Sequence, residues 1–263
     1  MTTPRLCILL VNDDGIYAPG LAALRDALVD WGDVTVVAPA VEQSGVGHSI
    51  TYLHPLLAHR EYRQGEFFGW RVEGSPADCV RLGILELSPR PPDVIVSGIN
   101  AGCNIGVNVL YSGTVAAAIE GAVFGVTSIA VSQWLDTPPD YAVTAKQAVP
   151  ILQQLWTRSS QPGTLWNVNF PSNHPGWPKG VQLTSMGVRR HSETIERRVD
   201  PRGRPYYWTG WEPIRSQHSD PGTDLEAIQQ GYITVTPLRY DLTDHAALQR
   251  LQTGESPDGW LVQ

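Results

Sequence analysis

Residues Leu6-Cys7-Ile8-Leu9-Leu10-Val11 are apolar without alternation, the pattern of a strand covered on both faces, as in a parallel sheet. The run stops at Asn12-Asp13-Asp14-Gly15. Pro19 then opens an amphipathic stretch in which Leu21, Leu24, Leu28 and Trp31 share one face, with Gly32 predicted to close the helix as a C-cap. Val34-Thr35-Val36-Val37-Ala38 is a second buried strand, so strand, helix and strand predict a right-handed crossover between parallel neighbours. The pattern recurs. Ser75-Pro76-Ala77-Asp78 combines a cap, a first-turn proline and a carboxylate near the amide ends of a helix, and Val94-Ile95-Val96 follows as a strand. Thr114 to Phe124 is Ala-rich and helical, and Ser128-Ile129-Ala130-Val131-Ser132 is strand-like again. An α/β fold, a doubly wound and mostly parallel sheet, is expected over the first half.

Beyond Pro171 the texture changes, with frequent Pro and Gly. The segment from Val199 through Asp200-Pro201-Arg202-Gly203 to Trp208 predicts two arms around a turn, a projecting hairpin. Order returns with a helix over Leu225 to Gln230, a strand at Tyr232-Ile233-Thr234-Val235-Thr236 and a helix over Asp244 to Leu251. No internal repeat is visible. A soft boundary near residue 175 separates a core, 1–175, from a C-terminal extension, 176–263, that carries the hairpin and a completing strand and helix.

A chain of 263 residues, 42% hydrophobic, can bury one large core with an appendage. Its 19 basic against 26 acidic residues leave a net charge of -7, which disfavours a nucleic-acid polymer as partner. Cys7, Cys79 and Cys103 lie far apart without zinc or disulfide spacing, which fits a reducing compartment. The first apolar run is too short for a signal peptide and no stretch reaches membrane-span length. A cytoplasmic protein without membrane association is expected.

In an open parallel sheet, ligands bind beyond the carboxyl ends of the strands, where loops converge and helix N-termini point inward. Asp13-Asp14 follow the first strand, Glu42-Gln43-Ser44-Gly45-Val46-Gly47-His48 the second, and Ser97-Gly98-Ile99-Asn100 the strand at Val94. Two adjacent carboxylates at the end of a buried strand repel each other and lose hydration unless a cation neutralises them. A hard divalent ion, Mg²⁺ or Mn²⁺, suits the oxygens of Asp13, Asp14, Ser44 and Asn100 and the lack of His/Cys clusters. Taken alone, Asp14-Gly15 also reads as a turn and Asp13 as a helix cap.

The Gly- and Asn-rich segment from Asn104 to Thr114 runs straight into the Ala-rich helix. Unpaired amides at that helix start, with the hydroxyls of Ser112 and Thr114, form an anion cradle suited to phosphate; an ordinary Ser/Thr cap is the competing reading. Glycines at 98, 102 and 106 favour close backbone approach to a ligand. Cradle and metal together imply phosphoryl chemistry. Walker A, dinucleotide-fingerprint, Gly-x-Ser-x-Gly and His-Glu-x-x-His motifs are all missing. His48 reads as a structural or solvated loop histidine, or as a substrate contact. Arg189, Arg190, Arg197, Arg198, Arg202 and Arg204 read as the solvated face of the hairpin, or as a grip on anions. Tyr206, Tyr207, Trp208 and Trp211 on that arm need burial that a partner subunit would provide.

These residues resemble the SurE family of survival proteins, 5'/3'-nucleotidases also described as acid phosphatases. The resemblance rests on Asn12-Asp13-Asp14-Gly15 with Ala18-Pro19-Gly20, Val37-Ala38-Pro39 with Gln43-Ser44-Gly45, and Gly74-Ser75-Pro76-Ala77-Asp78-Cys79-Val80. It continues through Val96-Ser97-Gly98-Ile99-Asn100-Ala101-Gly102, Tyr111-Ser112-Gly113-Thr114, Asn167-Val168-Asn169-Phe170-Pro171, Gly222-Thr223-Asp224 and Gly231-Tyr232-Ile233-Thr234-Val235-Thr236-Pro237-Leu238, nearly the whole chain. The resemblance implies a Rossmann-like core with a C-terminal hairpin and helix extension. It also implies one divalent metal ion per subunit at Asp13, Asp14, Ser44 and Asn100, Mg²⁺ or Mn²⁺ with Ca²⁺ as a crystallographic substitute. Phosphate contacts are implied at Asn104, Ser112, Gly113 and Thr114, with homodimers or homotetramers in which C-terminal segments are exchanged. The expected reaction is hydrolysis of nucleoside 5'-monophosphates, extending to 3'-monophosphates and short polyphosphate. Asp13 would orient or deprotonate water, or attack phosphorus through an acyl phosphate; Asp14 is the second catalytic carboxylate. The rival is a non-catalytic nucleotide-sensing module using the same cradle.

Overall fold

The computed structural model describes residues 5–188, 193–211 and 213–252. Among these residues, nine strands form one sheet. Near its middle runs β1 (Leu6–Val11), flanked by β2 (Gly32–Pro39) and β5 (Val94–Ala101), both parallel to it. β6 (Thr127–Gln133) and β7 (Leu165–Phe170) extend the parallel run on one side, and β4 (Glu66–Val72) on the other. At the margins, β3 (Ala58–Arg63) pairs antiparallel with β4, β11 (Ile233–Leu238) antiparallel with β7, and the short β8 (Val181–Leu183) parallel with β11. The chain beyond the soft boundary near 175 therefore contributes two strands to the main sheet. β9 (Glu193–Val199) and β10 (Pro205–Trp211) form a separate two-stranded ribbon around a turn held by Asp200.

The unbroken apolar run of β1 splits between two cores. Ile8 and Leu10 face a cluster with Leu21, Leu24 and Leu28 of α1 (Pro19–Leu28) and Ala148 and Leu152 of α4 (Tyr141–Arg158). Leu9 and Val11 face the opposite cluster, with Cys79 and Val80 of α2 (Pro76–Leu82) and Ala117 of α3 (Gly113–Val123). All four strand side chains are fully buried, each contributing roughly 1.5–3 kcal/mol. Covering both faces of β1 this way places its carboxyl end, and the two Asp residues after it, between the helix layers.

The start of α2 follows its sequence signature: Ser75 accepts from the Asp78 amide and the Asp78 carboxylate accepts from the Ser75 amide. α5 (Asp224–Gln229) and α6 (His245–Gln252) complete the extension. Two expectations change. Gly32 is not the C-cap of α1, which ends at Leu28 with Val29 as its cap; Gly32 opens β2, where a Cβ would stand 2.4 Å from the Leu6 carbonyl oxygen. Residues 97–100 are not a loop but the end of β5, with a register shift against β6 between Ser97 and Asn100. At Gly98 φ is +142° and a Cβ would lie 2.2 Å from the Val131 carbonyl oxygen, so only glycine lets β5 continue beside β6. The edge hairpin β3–β4 and helix α4 have weaker signals: β3 is mostly polar, as suits an edge strand, and α4 contains Pro150, ordinarily a helix breaker.

Candidate active site

The site begins where β1 stops. Asn12, fully buried, ties its Nδ2 to the Gly15 carbonyl at 3.0 Å and turns the chain. Asp13 follows at 3% exposure, and two neighbours define its position. The Thr114 hydroxyl donates a short hydrogen bond to Asp13 Oδ1. Gly113, the first residue of α3, packs so closely that a Cβ there would lie 2.8 Å from Asp13 Cβ and 3.0 Å from Oδ2. The N-terminus of α3, with the partial positive charge of its aligned amides, is thus pressed against a buried carboxylate.

Two hydrogen bonds gather the other loops. The Gln43 amide donates to the Asp13 carbonyl at 2.8 Å, bringing the neighbouring Ser44 to this edge. The Ala101 amide donates to Asp14 Oδ2 at 3.1 Å, bringing Asn100 beside it. Ser44 is exposed and donates its hydroxyl to Glu42 Oε1 at 2.7 Å, and Asn100 is buried with its Nδ2 on the Gly102 carbonyl. The chain therefore brings Asp13, Asp14, Ser44 and Asn100 to one sheet edge.

Electrostatics mark this edge as short of positive charge. Burial pushes the Asp13 carboxyl above its ordinary range, while Thr114 pulls in the opposite direction. Asp14 is pushed up to about 6, first by burial and then by the charge of Asp13, with Glu42 adding to the repulsion. Carboxylates so placed gain from any cation that reaches them. Among the described residues, no group of three or more His, Cys, Asp or Glu side chains is arranged to hold a metal ion. The oxygen set here differs in kind: two carboxylates, a hydroxyl and an amide, which is chemistry for a hard cation with retained waters.

The expected phosphate contacts divide. Gly113 stands at the helix start, while Ser112 Oγ accepts from the Val115 amide as the N-cap. The Thr114 hydroxyl is committed to Asp13, so it orients the carboxylate and does not offer its proton to an anion. Asn104 lies in a buried network: its Nδ2 donates to Ser132 Oγ at 2.9 Å, its amide to Asn169 Oδ1 at 2.8 Å, and its carbonyl accepts from Asn167 Nδ2 at 2.7 Å. Asn167 and Asn169, both fully buried on β7, hold the loop before α3 in place. Their alternation in an otherwise apolar strand was the available sequence signal. Asp224 is a further organiser, its carboxylate accepting from the amides of Gly106 at 2.8 Å and Gly187 at 3.0 Å. Tyr141, at the start of α4, lies near enough for the Asp14 charge to raise its phenol, although burial is the larger cause.

The loop-bearing sheet edge, the paired carboxylates and the glycine-led helix coincide with a family model described as survival protein SurE, which matches residues 8–193. The chain belongs to the SurE family. Similar proteins include one named 5'-nucleotidase SurE from Rhodopirellula baltica, 47% identical over 246 residues, which are 93% of this chain and 97% of that one. Another, named 5'-nucleotidase SurE 1, from Thermus thermophilus, is 45% identical over 249 residues, covering 93% of this chain and 96% of its own. Among solved structures, that of the SurE protein from Aquifex aeolicus superposes with a TM-score of 0.80 at 40% identity, covering 95% of this chain and all of that one. The α/β architecture read from the sequence, a mostly parallel sheet accompanied by an antiparallel ribbon, thus matches a solved structure of the family.

Proposed function

We propose that this chain is a metal-dependent phosphomonoesterase that hydrolyses nucleoside 5'-monophosphates to nucleoside and phosphate. The observation that carries the reading is the packing of the α3 N-terminus against the buried Asp13, next in the chain to the half-buried Asp14. That contact sets an anion-seeking helix start against Asp13, whose charge in turn repels the neighbouring Asp14 carboxylate and makes the pair cation-seeking. The 5'-nucleotidase names of relatives 43–47% identical over at least 93% of this chain support the substrate class.

Asp13, Asp14, Ser44 and Asn100 would hold the ion, Mg²⁺ or Mn²⁺, through oxygen atoms. Bound there, a divalent cation supplies Lewis-acid activation of a phosphate oxygen. The Gly113 amide, at the positive end of α3, takes the phosphate charge, with the Asn104 loop held behind it. Asp13, oriented by Thr114, is the group that activates water or attacks phosphorus, and the nucleoside hydroxyl leaves. The arginine-rich arm contributes less than its composition implies: Arg198 pairs with Glu196 and Arg204 with Asp200 within the ribbon, and Arg189 and Arg190 lie outside the described residues.

The ribbon supports self-association. Its strands pack chiefly on each other, and Ile195, Tyr207 and Trp208 are 71%, 61% and 59% exposed; the Trp211 side chain lies outside the described residues. We assign it, within the 176–263 extension, to subunit contact in a homodimer or homotetramer. No helix among the described residues is long and apolar enough to cross a membrane. The three cysteines are free, two of them buried, which supports a cytoplasmic location.

The test is release of inorganic phosphate from 5'- and 3'-mononucleotides before and after chelation, with Mg²⁺ or Mn²⁺ restored afterwards. Chelator-sensitive turnover is expected. Nucleotide binding without phosphate release, with metal present, would overturn the assignment in favour of a sensing module.

A further inference from the structure

The segment between β2 and β3, residues 40–57, contains no helix or strand, yet it carries Ser44. The tip of this segment has little support. Ser44 and Gly45 are exposed, and nothing lies within 4 Å of where a Cβ on Gly45 would stand. Upstream, the Gln43 amide ties the loop to the Asp13 carbonyl at 2.8 Å. Downstream, the Gly47 amide donates to the Tyr111 carbonyl at 3.0 Å, and His48 Nε2 meets Glu120 Oε2 at 2.6 Å. Glu120 projects from α3 at only 5% exposure, and its other oxygen accepts from Arg81 Nη1 of α2 at 3.2 Å.

The chemistry makes this a directional tether. The hydrogen bond from His48, helped by Arg81, holds the Glu120 carboxyl below its ordinary range despite burial. Glu120 is therefore an anionic acceptor, and His48 must present Nε2–H to it. Arg81, always charged, compensates the buried anion. The same helix that carries Glu120 carries Gly113 and Thr114, which pack and orient Asp13. Ser44 and Asp13 are thus referenced to one rigid element. The remainder of the loop has its own anchors: Thr51 bonds Asp78 through its amide at 3.0 Å and its hydroxyl at 2.7 Å, and the Ser49 carbonyl accepts from Ser75 at 2.6 Å. Removing the His48 tether would consequently loosen the stretch around Ser44 and leave the fold standing.

We propose that His48 and Glu120, braced by Arg81, are positioning residues that latch the Ser44 loop to α3 and thereby set the affinity of the metal site. The latch rests on the metal-site reading above, and its test separates the two. Mn²⁺ is titrated into the full-length protein without substrate, and free Mn²⁺ is followed by electron paramagnetic resonance, for wild type, His48→Ala and His48→Gln. Unfolding midpoints of the chelated proteins are measured in parallel. His48→Ala is expected to weaken Mn²⁺ binding by about 10–100-fold, the range for groups that orient metal ligands, with little change in the midpoint. His48→Gln, which keeps an N–H donor, recovers most of the affinity. The activity of His48→Ala returns toward wild type at saturating Mn²⁺. Mn²⁺ affinity of His48→Ala within about twofold of wild type, or an equal loss in His48→Gln, overturns the latch alone. A wild-type protein that binds no Mn²⁺ overturns the metal site and the latch with it.

Discussion

Replacing Gly113 with alanine adds a single carbon where the structure has no room for it. The new Cβ would lie 2.8 Å from Asp13 Cβ, 3.0 Å from Asp13 Oδ2 and 3.1 Å from the Gln43 carbonyl oxygen, whereas non-bonded carbons rest at about 3.5–4.0 Å. One of the three contacts is main chain, so Asp13 must retreat by roughly half an ångström or more. For the fold the consequence is mild. Overpacking of this kind costs about 1–3 kcal/mol, and alanine recovers part of it because it favours helix over glycine by up to about 1 kcal/mol. For the reaction it is severe, since a misplacement of about 1 Å can cost a hundredfold in rate. Gly113→Ala is therefore expected to lower kcat/KM for a 5'-mononucleotide by about 10- to 100-fold while the thermal midpoint falls by only a few degrees. Steady-state phosphate release and differential scanning calorimetry on the same preparation measure both. Wild-type kcat/KM in a folded Gly113→Ala protein would refute the placement of Asp13 against α3 as a condition of catalysis.

Metal and pH should trade against each other. Asp14 ionises at about 6 in the folded protein and at about 4 unfolded, so its contribution to the stability of the chelated protein is fully present below pH 4 and is lost as pH rises through 6. The rise in thermal midpoint on adding Mn²⁺ should accordingly widen across that window; a rise independent of pH would contradict it. Asp224→Asn removes a buried charge that accepts from the Gly106, Gly187 and Leu225 amides. It should destabilise the protein by about 1–3 kcal/mol and raise KM more than it lowers kcat, which denaturation and steady-state kinetics can check. Replacing Tyr207 and Trp208 with serine should shift sedimentation toward monomer without changing the ribbon's own register; an unchanged sedimentation coefficient would dismiss the ribbon as the subunit contact.

The elements most readable from sequence are those whose local signals agree with their tertiary role. β1 needs apolar residues on both faces, and its sequence is apolar throughout. α2 carries its own capping box and α3 its own Ser cap. Where local and tertiary demands diverge, the pattern misleads. Gly32 resembles a helix stop because glycine commonly ends helices, but here it serves close strand packing against Leu6. Residues 97–100 resemble a loop because Gly98 interrupts the apolar run, yet that glycine is what admits the strand beside Val131. Pro150 inside α4 and the polar face of β3 hide genuine elements for the same reason: tertiary contacts outweigh weak local preference.

The residue order was enough to place Asp13-Asp14, the Ser44 loop, Asn100 and the glycine-led helix after successive strands, because parallel topology sends those segments to one edge. It could not assign partners. Thr114 serves Asp13, Asn104 is locked by Asn167 and Asn169, and His48 reaches a glutamate 72 residues away in the chain. Those pairings depend on which side chains meet across the sheet edge once the helices pack. Hydrogen bonds of 2.6–3.1 Å between segments far apart in the chain are decided by that packing, and no local pattern of residues encodes it.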